Sequence, residues 1–134
     1  MSGRGEALHR IDAALAEVTA IDASLAAVRR GQRSGVDRGD VARRFHAIAD
    51  AGRQHHAFAF VQELAALAGR VTDGADRSLL HIEELEALQH AADVLSLLLR
   101  DMGHQLLGRR GADVTPAATA LRDRLEQMLM ATHR

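Results

Sequence analysis

Eight histidines in 134 residues are the largest supply of reactive chemistry in this chain, and imidazole is the commonest metal ligand among side chains. They are His9, His46, His55, His56, His81, His90, His104 and His133. A bundle builds a metal site by setting several such groups, with carboxylates, at one height on facing helices. Counting outward from a turn near residue 74, His55 and His56 fall level with His90 and Asp93, with Glu17 as a possible fifth. The faces oppose that site, because His90 lies opposite the leucine stripe of its own segment. Only Glu6-x-x-His9 has the spacing of carboxylate-bridged bundles, which need two copies. No metal and no cofactor is expected. His56 and His81 lie on or near apolar stripes and read as hydrogen-bonded boundary residues; His9, His46, His90, His104 and His133 read as solvated. Protonating all eight moves the formal charge from −1 to +7, so some sensitivity to acid is expected.

Arginine is the second supply. The chain has no Lys, so all 17 basic residues are Arg, a usage that points to GC-rich coding and a bacterial source. Arg29, Arg30, Arg33, Arg38, Arg43 and Arg44 crowd one polar stretch, and Arg109 and Arg110 another. In an up-down-up-down bundle of four helices the two stretches share one end. That end is a candidate contact for an acidic protein, a phosphate or nucleic acid. A solvated helix terminus, with arginines offsetting the dipole, explains the same residues more simply. Nucleic acid is disfavoured: no aromatic platform accompanies the arginines, and the whole chain is not basic. Arg38-Gly39-Asp40 spells an adhesion tripeptide, but Asp40 has a local task as the N-cap of a helix.

His104-Gln-Leu-Leu-Gly108 resembles the active-site stretch of histidine phosphotransfer domains, and Leu125-Glu126 is similar to a Leu-Glu pair such domains often carry. The resemblance implies a four-helix bundle that relays phosphate between a kinase and a response regulator, with His104 as the phospho-acceptor. Leu107 stands where that family usually has Lys. Other catalytic signatures are missing from the sequence. Cysteine is absent, which removes disulfides, thiolate nucleophiles and Cys-ligated zinc and fits a reducing compartment. The carboxylates are scattered or sit where helix dipoles favour them. The protein is therefore expected not to be an enzyme.

The elements that would position these groups are helices. Leu85, Leu88, Ala92, Leu95, Leu99, Met102 and Leu106 repeat in a 3-4-3-4 rhythm, which lines them up on one stripe. Val94, Leu97 and Leu98 widen that surface beyond a seam. A first helix over about residues 5–30 carries Leu8, Ile11, Leu15, Val18, Ile21, Leu25 and Val28, with Ala7, Ala14 and Ala26 letting a neighbour approach closely. A second, over about 41–71, carries Val41, Phe45, Ile48, Gly52, His56, Phe60, Leu64, Leu67 and Val71, with Gly52 as a weak point costing about 1 kcal/mol against Ala. The third spans about 78–107 and ends near Gly108. Thr115-Pro116 opens a fourth, over about 116–132, with Ala118, Leu121, Leu125 and Met128 facing inward. Aromatics are only 2% of the chain, so Leu, Val, Ile, Met and Ala must fill the core.

The spacing predicts an all-α, antiparallel up-down-up-down four-helix bundle, one domain over residues 1–134. No apolar run is long enough to cross a membrane, and charges interrupt the N-terminus from Arg4 to Asp12, where a signal peptide would need an apolar core. A cytoplasmic location and no membrane contact are expected. The function expected is that of a protein-interaction, adaptor or regulatory module, pairing with another protein or with itself. Leu97 and Leu98, off the main stripe, are one candidate surface. Arg29, Arg30, Arg33, Arg43, Arg44, Arg109 and Arg110 are the other.

Overall fold

The computed structural model describes residues 3–30, 38–52, 59–73, 82–108 and 113–132. Among them the chain is all-α, with five helices and no strand. They are α1 (Gly3–Arg29), α2 (Arg38–Gly52), α3 (Ala59–Asp73), α4 (Ile82–Leu106) and α5 (Thr115–Thr132). One apolar cluster draws side chains from all five, so they form a compact helical bundle.

Where four helices were expected, the described residues form five. The segment expected as one helix over residues 41–71 is two, α2 and α3, which lie side by side in the broadest helix–helix contact of the fold. The stripe runs on in phase through residues 52 and 56, yet Gly52 and His56 put no large apolar side chain there. Two shorter amphipathic helices bury their halves separately. In α2 these are Val41, Ala42, Phe45, Ile48 and Ala49; in α3 they are Val61, Leu64, Ala65, Leu67, Ala68 and Val71. Gly69 lies on the contact. A Cβ built there would come within 2.6 Å of His46 Cε1, 2.8 Å of Nε2 and 2.9 Å of Nδ1, so the imidazole rests against glycine backbone. His46, expected to be solvated, is half-buried at this contact.

The α1 face is rotated from the expected one. Ala7, Ile11, Ala14, Val18, Ile21 and Leu25 are buried at 4-3-4-3-4 spacing, while Leu8, Leu15 and Val28 are only half-buried. Alanine lets helices close on one another, and the larger side chains move to the flank. The leucine stripe of α4 lies as expected: Leu88, Ala92, Leu95 and Leu99 are fully buried, with Leu85, Met102 and Leu106 packed at the margins. In α5, Ala118, Leu121 and Leu125 face inward, and Leu129 rather than Met128 completes the row.

The helix ends follow local chemistry. Glu83 and Glu84 occupy the first turn of α4, where the dipole favours negative charge. At its other end the Leu107 amide donates to the carbonyls of Gly103 and His104, and the Gly108 amide to Gln105. Gly108 then turns left-handed at φ +77°. A Cβ at either Gly103 or Gly108 meets nothing within 4 Å, so backbone conformation alone decides the outcome. Gly108→Ala is expected to cost about 1–2 kcal/mol, while Gly103→Ala, in the last turn of the helix, is expected to gain up to about 0.5–1 kcal/mol. Urea unfolding of the pair checks the opposite signs. At the start of α5 the side-chain acceptor is Asp113 rather than Thr115: Asp113 Oδ1 accepts the Thr115 amide at 3.1 Å.

Candidate functional site

The candidate contact residues separate in the structure. Leu97 and Leu98 are neighbours on α4, yet about 100° of helical rotation divides them. Leu98 is 6% exposed and belongs to the core, whereas Leu97 is 52% exposed. Leu97 stands on the outer face among Asp93, Arg100 and His104, all exposed. Ile82, Leu107 and Met130 are the other large apolar side chains left exposed among the described residues. Ile82 and Leu107 flank Leu97 at the beginning of α4 and just past its end.

The arginines of the two polar stretches fall only partly within the described residues. Arg33, Arg109 and Arg110 lie outside the described residues. Placing both stretches at one end relied on two helices between them, and three intervene: α2, α3 and α4. Arg29 and Arg30 are exposed at the C-terminus of α1. Arg43 and Arg44 are both committed to carboxylates. Arg43 pairs with Asp40. Arg44 donates from Nε to Asp40 Oδ2 at 3.1 Å and from Nη1 to Glu17 Oε1 at 3.3 Å, tying α2 to α1. Asp40 sits in the first turn of α2 rather than at a cap before it.

The hydrogen bond from Arg44 holds the Asp40 carboxyl below the usual carboxylate range; partial desolvation opposes the shift, and the hydrogen bond from Arg43 and the charges of both arginines add to it. A carboxyl whose folded value is depressed stabilises the fold above its unfolded value, near 3.8, and that contribution disappears as pH falls through the folded value. Asp40→Asn is therefore expected to cost about 0.5–1 kcal/mol at neutral pH. The difference from the parent should vanish on acidification below the normal carboxylate range. Thermal melts of both proteins across pH 7 to 2 test the convergence.

The groups considered for a metal are engaged elsewhere or lie outside the described residues. Glu17 binds Arg44. The Gln89 side-chain amide donates to Asp22 on α1 at 2.8 Å and to Asp93 at 3.1 Å. His90 Nδ1 lies 3.3 Å from Arg124 Nη1. A guanidinium only donates, so Arg124 is the donor wherever this contact is a hydrogen bond. Among the described residues no three His, Asp or Glu side chains converge as a metal site would require. His55, His56, His81 and His133 are outside them. His104 is exposed on the last turn of α4, and the neighbouring Gln105 amide donates to Asp101 Oδ2 at 2.8 Å.

One surface was not singled out from the sequence. On the outer side of α1, Ala13, Ala16 and Ala23 are exposed and Ala20 and Ala27 half-buried, again at 3-4-3-4 spacing. α1 packs chiefly on α4 and α2, and this side faces neither. The spacing was legible, but alanine is also the default filler of exposed helix, so type alone does not mark the row.

The fold and these surfaces define an all-α helical-bundle protein, and none of its described helices is long and apolar enough to cross a membrane. Comparison with protein-family models, with curated proteins and with solved structures finds no match to the chain.

Proposed function

We propose that this protein is a cytoplasmic, non-enzymatic interaction module of the adaptor or regulatory kind, which binds a second copy of itself or another protein through the outer face of α4. The observation that carries the reading is Leu97, 52% exposed midway along a helix whose opposite side, with Leu88, Ala92, Leu95 and Leu99, is fully buried. A large apolar side chain held out on a rigid helix gains by being covered, and full burial of a leucine is worth roughly 1.5–3 kcal/mol. One contact supports an antiparallel run of α1 and α4 behind it: Gln89, near the start of α4, donates to Asp22, near the end of α1.

The test is molar mass by light scattering, at moderate and high salt, for the parent and for Leu97→Glu. The parent should associate at both salt concentrations. Leu97→Glu should be monomeric and still folded, because the site is open, with stability lower only by what association contributes to the parent. If mass, partner binding and stability are all the same in the two proteins, the reading is wrong.

A second reading has one observation in its favour. The exposed ring of His104 is open to a phosphodonor, as phosphotransfer through this residue would require. Incubation with a labelled phosphodonor kinase decides it: label should reach the parent and be lost in His104→Gln.

A further inference from the structure

We draw no further inference here: the strongest candidate, the alanine-lined outer face of α1 (Ala13, Ala16, Ala20, Ala23 and Ala27), is a stripe of small residues, and nothing in the structure shows what covers it.

Discussion

Phe45→Ala is expected to lower the free energy of unfolding by about 3–5 kcal/mol. Phe45 is fully buried and is the largest of the completely buried side chains. Two effects add. Removing the ring forfeits its transfer free energy, and the surrounding packing closes only partly on the space left behind. Its neighbours on the inner face of α2 are Val41 and Ile48, both β-branched and restricted at χ1, with two alanines that cannot reach into a void. The collapse that softens such substitutions elsewhere is therefore limited here. Domains commonly have only about 5–15 kcal/mol in total, so the variant should unfold at a markedly lower urea concentration. At about 3–4 °C per kcal/mol for a chain of this size, the thermal midpoint should fall on the order of 10–15 °C. Gln127→Ala, at an exposed position on α5, is the control and should stay within about 0.5 kcal/mol of the parent. A Phe45→Ala protein that unfolds with the parent would mean that α2 does not pack as described.

What the sequence made legible follows from side-chain size. Leucines spaced by three and four on α4 leave few ways to be buried, and the helix lies on the face they mark. On α1 the close approach expected at Ala7 and Ala14 is there, but size alone misplaced Leu8 and Leu15, which sit at the margin. Closeness of helix approach, a property of two helices together, decided between them. The break between α2 and α3 hid behind its own periodicity. Phe60 falls in register with Ile48 across Gly52 and His56, so the stripe looks continuous although its middle has no large apolar side chain. Reading size as well as phase over those positions would have exposed the gap.

The candidate surfaces divide in the same way. Leu97 and Leu98 are too far apart around a helix to leave the core together, and that was available from helical geometry. The fate of Arg44 was not. Its Glu17 partner is 27 residues away, and only the packing of α2 on α1 brings them together. The shared end expected for the arginine stretches rested on counting helices, and the described residues hold three helices between the stretches where two were expected.

The contact that the missed break creates gives the second large effect. Gly69→Ala is expected to destabilise the protein by about 1–2 kcal/mol, against the usual gain from replacing a helical glycine, because overpacking at a closed contact costs about 1–3 kcal/mol. The ordinary gain is about 0.5–1 kcal/mol. The added Cβ would fall under 3 Å from three atoms of the His46 ring, so either the ring or a helix must shift. His46 is half-buried between α2 and α3, and turning it away breaks the arrangement that brings the two helices together. Removing the obstacle should restore the normal sign. In a His46→Ala background, Gly69→Ala should stabilise by about 0.5–1 kcal/mol. The double-mutant cycle should then show a coupling of about 1.5–3 kcal/mol, within the range of residues in direct contact. Urea unfolding of the four proteins measures it. Equal stabilisation by Gly69→Ala in both backgrounds would mean that the imidazole swings aside freely and that the close approach at Gly69 does not set the spacing of α2 and α3. A large coupling would establish that this glycine, rather than the leucines of the stripe, fixes how closely the two helices pack.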